Sequence, residues 1–295
     1  MLRAIIGVDT VDHADSILRF LERLDYDPIA VELLNVVDAS LPLVPVGAFS
    51  GPELIGEYAD ALRATGEATL KKAKEAACQR GFSARATLVY GPPALTLLDY
   101  ATENKADMLC VHGTLRGPLG SVIYGSISRA ITIGAKQTVL IAKGEESNAG
   151  PLRAVLAVDH SEYCDRCIDK LLANPPRGLA HVCVLHALNV NQTMLDLFPK
   201  KVLDDGMTVT EWLRGRVEEK NAAIVDRLKA IGIEAVSMVE EGHPNEVIKL
   251  AMKSCSAELV ILGAHGHGFL ERLVVGSTSL HQVVAEPYSA LVIRA

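Results

Sequence analysis

The chain has 295 residues, a net charge of −7 and an isoelectric point near 5.7, with 49% hydrophobic and 22% charged residues. That length is generous for one core and comfortable for two, since domains usually run to ~100–150 residues. The acidic balance excludes a broad basic footprint for nucleic acid, and the apolar content excludes general disorder.

In the first half, short β-branched runs predict strands at 2–8, 29–36, 84–89, 107–111 and 138–142, with a long amphipathic helix over 55–80. In the second half the same signals give strands at 152–158, 180–187, 233–239, 258–262 and 290–294. Helices are expected there over 162–173 and over 244–255, the latter opening on Pro244. Apolar strands alternating with amphipathic helices are the signature of βαβ units on a parallel sheet, so each half reads as a five-stranded α/β domain with helices on both faces. No apolar run approaches the ~20 residues that span a bilayer, and Asp9 comes too early for a secretory leader. A cytoplasmic protein without a membrane partner is expected, most of its six cysteines held as thiols.

The halves are copies. RAIIGVD (Arg3 to Asp9) returns as RAVLAVD (Arg153 to Asp159), and a shift of 151 then aligns Asn35 with His186, Gly91-Pro92-Pro93 with Gly242-His243-Pro244, and Gly125-Ser126 with Gly276-Ser277. A period this long is a domain duplication, whereas solenoid repeats run to ~20–50 residues. The Gly- and Pro-punctuated stretch from Gly144 to Pro151 is the natural linker, dividing the chain into 1–146 and 147–295.

Ligands of such sheets sit beyond the carboxyl ends of the strands, where the strand order switches. In the second repeat that directs attention to Asp159, to the end of 180–187 and to the loop after Leu262. This loop reads Gly263-Ala-His-Gly266, nine residues, then Gly276-Ser277-Thr278-Ser279 and a helical pattern. Glycines allow positive φ and close approach of a ligand to the backbone, and a helix N-terminus offers unpaired N–H groups to an anion. The loop lacks the Lys-Ser/Thr ending of a Walker A motif and the three close glycines of a dinucleotide fingerprint.

Gly-x-x-Gly, nine residues, Gly-Ser resembles the nucleotide-binding motif of ATP-binding universal stress proteins. The flanking VDHSEY, LHALN, EEGHPNEVI and YSALVIRA are similar to that family too, and the resemblance covers the chain as two tandem copies. It implies Rossmann-like, adenine nucleotide alpha-hydrolase-like domains and a nucleotide-responsive stress or signalling module. It further implies ATP, with or without Mg²⁺, in the second repeat, and a homodimer acting on an unidentified protein partner. Carried over, the family pattern puts Asp159 beside the adenosine, Ala187 where backbone groups meet adenine, and Gly263, His265 and Gly266 by ribose and phosphates. Gly276, Ser277, Thr278 and Ser279 fall around the phosphates. Asp159 can equally be an N-cap or turn acid for helix 162–173. In the first repeat His112 and Leu115 replace the two leading glycines, while Gly125, Ser126 and Ser128 remain. Leu cannot cheaply take a glycine-only backbone, so no ATP is expected there.

No nucleophile elbow, paired carboxylates or kinase signature stands out, so no catalytic residue and no metal ligand is assigned, and at most weak ATP hydrolysis is expected. The rival reading is a slow ATP-hydrolysing enzyme or a thiol module built on Cys164-Asp-Arg-Cys167. That pair opens a helix whose dipole can lower a thiol pKa, and His160 and His186 could complete a metal site, although buried thiol filler accounts for it as well.

Overall fold

A computed structural model describes residues 1–38, 52–113, 115–116, 123–144, 150–189, 207–265 and 275–295. Contacts divide the chain into two units, Met1–Ser147 and Asn148–Ala295. The N-terminal unit runs β1 (Leu2–Gly7), α1 (Val11–Leu24), β2 (Ile29–Val37), α2 (Pro52–Gln79), β3 (Ala84–Tyr90), α3 (Pro93–Glu103) and β4 (Met108–His112). Two short strands follow, β5 (Leu115–Arg116) and β6 (Ile123–Tyr124), and then α4 (Ser126–Gly134) and β7 (Thr138–Ala142). The C-terminal unit runs β8 (Leu152–Ala157), α5 (Glu162–Ala173), β9 (Leu179–Leu188), α6 (Val209–Ala230) and β10 (Glu234–Glu241). It ends with α7 (Pro244–Ser254), β11 (Leu259–Gly263), α8 (Ser277–Ala285) and β12 (Ser289–Ile293).

Within the first unit the strands lie in the order β3-β2-β1-β4-β7, and within the second β10-β9-β8-β11-β12, all parallel. Helices cover both faces of such a sheet, which is why the central strands are apolar throughout rather than alternating. Leu259, Val260 and Ile261 are sealed from solvent, and Ile261 stands in register between Leu156 and Leu291. The edge strand β10 instead exposes Glu234, Val236, Glu240 and Glu241.

The helices follow from local chemistry. Thr10 caps α1 by accepting from His13 N at 3.2 Å, and Ile17, Leu18, Leu21 and Leu24 line its buried face. Thr208 and Glu211 form a reciprocal capping box at the start of α6. Buried Asn221 of α6 donates to Val184 O, Ser237 Oγ and Met238 O, each at 3.2 Å, so one amide fastens the helix to β9 and β10. Gly242 sits at φ 141°, a region glycine occupies readily, and this turn delivers Pro244 to the first position of α7. Gly91 does the same before α3 at φ 143°.

The strands predicted from periodicity end within two residues of those observed, as for 233–239 against Glu234–Glu241. Helix α2 opens earlier than predicted, at Pro52. The antiparallel pair β5 and β6 is an addition that the sequence reading lacked. Among the described residues no helix is long and apolar enough to cross a membrane.

Candidate functional site

In the C-terminal unit the strand order turns back between β8 and β11, and a cleft of about 250 Å³ opens beyond their carboxyl ends. Asp159 after β8, Ala187 on β9 and Gly263 and His265 at the end of β11 line it. Gly276, Ser277, Thr278 and Ser279 at the start of α8 close it from the other side. Eight residues singled out from the sequence are thereby brought into one cavity. Gly266 and His267 lie outside the described residues.

Asp159 shapes the turn into α5. Its Oδ1 accepts from Ser161 N at 3.0 Å and Ser161 Oγ at 2.7 Å, while Ser161 itself caps the helix by accepting from Cys164 N at 3.1 Å. The N-cap is therefore Ser161, and Asp159 is the turn acid of the two alternatives. The reason is local: His160 takes the left-handed φ of 56°, which swings the chain so that residue 161 meets the helix end.

The start of α8 carries no side-chain cap. Gly276 N donates to Ala264 O at 2.8 Å, which pins the helix start beside the end of β11. Gly276 provides no side-chain cap, so the first-turn N–H groups and the positive end of the helix dipole face the cleft. Gly276 has φ −60° and Gly125 has φ −57°, so the expected positive φ is not what glycine supplies there. It supplies the absence of a Cβ. Ser279 is buried and its Oγ donates to Gly263 O at 2.7 Å. Its hydroxyl proton is thereby committed to holding strand and helix together, whereas Ser277 is exposed at the cleft. Leu185, Leu262, Pro244 and Ile248 supply an apolar wall. The cavity combines an apolar slot, a carboxylate and an uncapped helix start.

Burial holds His160, Cys164 and Cys167 beside the cleft neutral. His160 stacks on His186 with centroids 5.0 Å apart, and burial, then His186 and Lys220, pushes its pKa down to about 4. Burial pushes Cys164 up to about 12 and Cys167 up to about 11. The dipole effect expected for this pair is outweighed by desolvation, because both thiols face the core and Cys167 Sγ donates to Ile293 O at 3.5 Å. Among the described residues no group of three His, Cys, Asp or Glu side chains is placed to hold a metal ion. Tyr163 stands edge-on to His265 at 4.7 Å with Arg166 over its ring at 5.4 Å.

The corresponding cavity of the N-terminal unit is smaller, about 120 Å³, and is lined by Asp9, His112, Gly125, Ser126 and Ser128 among others. Asp9 is engaged with His13 Nδ1 at 2.8 and 2.9 Å and with Thr10 N at 2.8 Å. The His13 ring stacks at 4.1 Å and 9° on His112, the residue that takes the place of Gly263 in this unit. Position 115 lies in strand β5, a backbone natural to Leu, so the steric strain expected for Leu115 does not arise. Ser128 Oγ reaches His112 O at 3.3 Å, a longer version of the Ser279 tie.

Sequence reasoning missed Pro244 and Ile248 as wall residues, Ser161 as the cap and Tyr163 as the neighbour of His265. For the first two a signal existed in the i, i+4 spacing on one face of α7.

The universal stress protein family model matches residues 1–143 and 152–293. Universal stress protein Rv2005c of Mycobacterium tuberculosis is 26% identical over 260 residues, covering 85% of this chain and 82% of that protein. Universal stress protein MJ0531 of Methanocaldococcus jannaschii is 28% identical over 138 residues, 47% of this chain and 75% of that protein. The crystal structure of a universal stress protein from Archaeoglobus fulgidus aligns over 99% of this chain and 98% of its own with a TM-score of 0.69 at 17% identity, a likeness of fold.

Proposed function

The chain belongs to the universal stress protein family as a tandem of two family domains, and on that premise we propose that it is a nucleotide-responsive stress or signalling module holding ATP in its C-terminal unit. The observation that carries the reading is the convergence, in one cleft, of the uncapped start of α8, the Asp159 carboxylate and an apolar wall. Each part suits one part of ATP. The helix start takes phosphates, the carboxylate accepts from a ribose hydroxyl or adenine amino group, and the wall takes the flat base. Mg²⁺ belongs to this reading as a counter-ion on the phosphate oxygens.

The reading is one of binding rather than turnover. Phosphoryl transfer needs a positioned metal and a group that orients the nucleophile as well as a grip on phosphate, and the Asp159 carboxylate already holds the Ser161 turn. A module of this kind acts through the surface it presents, so the proposal includes a homodimer and a protein partner that distinguishes the ATP-bound form.

Gly276→Val tests the site. The backbone at φ −60° accepts valine, so the fold survives while the branched side chain stands where phosphate must approach. A ligand that binds only the folded state stabilises it by about 2.7 kcal/mol at a hundredfold excess over Kd, a rise of roughly 5–10 °C for a domain of this size. ATP should raise the melting temperature of the wild type by that amount and leave Gly276→Val unmoved. Equal responses of the two proteins, or none in the wild type, would overturn the site.

A further inference from the structure

At the opposite ends of strands β8, β9 and β10 the C-terminal unit has a second cavity, of about 500 Å³. It is lined by Arg153, His181, Cys183, Lys229, Glu234 and Cys255, together with apolar neighbours. The two cysteines come from different elements. Cys183 is buried in the middle of β9, and Cys255 is the partly exposed C-cap of α7. Both side chains line this one cavity, from helix α7 and from the strand it packs against, and the Cys255 thiol adds to the burial that holds the Cys183 thiol up. Cys255 is also fixed through its backbone, its N–H donating to Ala251 O at 2.9 Å and its carbonyl accepting from Arg153 Nε at 2.8 Å.

The first unit shows what this place does in the fold. The residue aligned with Cys183 is Glu32, whose Oε1 accepts from Tyr100 Oη of α3 at 2.6 Å and from Thr87 Oγ1 at 2.9 Å. Strand and helix are tied there by side-chain hydrogen bonds. The C-terminal unit has Ala251 in place of Tyr100 and Met238 in place of Thr87, so those partners are missing, and Cys183 shares the cavity with Cys255 instead.

We propose that Cys183 and Cys255 are a redox pair that closes reversibly into a disulfide and thereby fastens α7 to β9. The oxidant is hydrogen peroxide reaching the pair through the cavity. The exposed Cys255 sulfur attacks one peroxide oxygen, the O–O bond breaks, and Cys255 becomes a sulfenic acid with release of water. The Cys183 sulfur then attacks the Cys255 sulfur, and its proton leaves with the displaced hydroxyl as a second water. Two thiols are oxidised by two electrons in all, and peroxide is reduced. Burial and the Cys255 partner hold the Cys183 thiol up at about 12, which suits it as the resolving sulfur and not as the first to react. Helix α7 carries Pro244 and Ile248, and β9 carries Leu185, His186 and Ala187, all on the wall of the cleft described above. Closing the pair cross-links the two elements that form this wall.

The test uses the full chain, reduced and then treated with a small excess of hydrogen peroxide, unfolded in the presence of iodoacetamide, digested without reductant and mapped by mass spectrometry. The expected product is a Cys183–Cys255 linked peptide, lighter by two hydrogens than its reduced parts and abolished by dithiothreitol. Oxidised wild type should also melt at a higher temperature than the reduced form, a gap that Cys255→Ser removes. Both cysteines recovered with the alkyl label, or Cys255 recovered as sulfinic acid beside alkylated Cys183, would overturn the pair. These readouts need no nucleotide, so they stand apart from the ATP reading.

Discussion

His112 and His160 show how one side chain couples this fold to pH. Burial dominates in both: it pushes His112 down to about 4, with His13 adding to the effect and Asp9 opposing it, and it pushes His160 down to about 4, with His186 and Lys220 adding and Asp159 opposing. An unfolded histidine titrates near 6.5. Between that value and 4 the unfolded chain takes up protons that the folded chain refuses, so stability is complete above about pH 6.5 and is lost as pH falls toward 4. Both rings are partly exposed, so the loss is roughly 1–2 kcal/mol per histidine after allowance for solvent screening. His112→Phe keeps a ring against His13 and removes the titration. His160→Asn suits the left-handed backbone at φ 56°. Urea unfolding at pH 7 and pH 5 should show a smaller difference between the two pH values for each variant than for wild type. Equal differences would mean that these imidazoles are not the acid-sensitive groups. The residue scale was also the least legible in the sequence. The glycine spacing pointed to positions that line one cleft, but of the two reasons offered for glycine, positive φ and close approach, the first does not apply at Gly276, where φ is −60°. Dihedral angles are set by the path of the neighbouring chain, which a residue type does not disclose.

At the scale of elements the reading was strongest where periodicity is strongest. Buried strands such as β11 and β12 announce themselves as unbroken apolar runs, and α7 by a proline at its start and apolar residues at i and i+4. The ties between elements are harder to read, because a serine inside a helix gives no sign of which carbonyl it will meet. Ser279 is such a tie. Its hydroxyl joins α8 to the last residue of β11 at 2.7 Å, holding the anion-facing helix start against the strand that brings Gly263. Ser279→Ala should cost about 1 kcal/mol of stability, the typical worth of a buried neutral hydrogen bond, and should weaken ATP binding because the helix start is no longer fixed. Ser128→Ala, which removes the 3.3 Å contact to His112 O, should cost less. Chemical denaturation of both variants decides the order. A larger loss for Ser128→Ala would show that these hydroxyls do not act as strand-to-helix ties.

The two units descend from one pattern, and the whole chain is best understood through what differs between them. Both keep an aspartate after the first strand, at Asp9 and Asp159, and an uncapped glycine before the last helix, at Gly125 and Gly276. Those features alone would predict two equivalent sites. The cavities differ: about 250 Å³ in the C-terminal unit and about 120 Å³ in the N-terminal one, where Asp9 is engaged with His13, and His112, stacked on His13, lines the cavity in place of Gly263. The first unit keeps the apolar wall, with Leu34, Pro93, Leu97 and Val111 at the positions of Leu185, Pro244, Ile248 and Leu262, so the expected difference rests on the smaller cavity and on His112 in place of Gly263. Titration calorimetry of the full chain should therefore return one ATP per chain. Gly276→Val should abolish the heat of binding. Gly125→Val should leave it intact, since a Cβ at Gly125 meets nothing within 4 Å and the first unit keeps its fold. Two equivalent sites, or binding lost in the Gly125 variant alone, would mean that the imidazole pair yields to the nucleotide and that the functional difference between the units lies elsewhere.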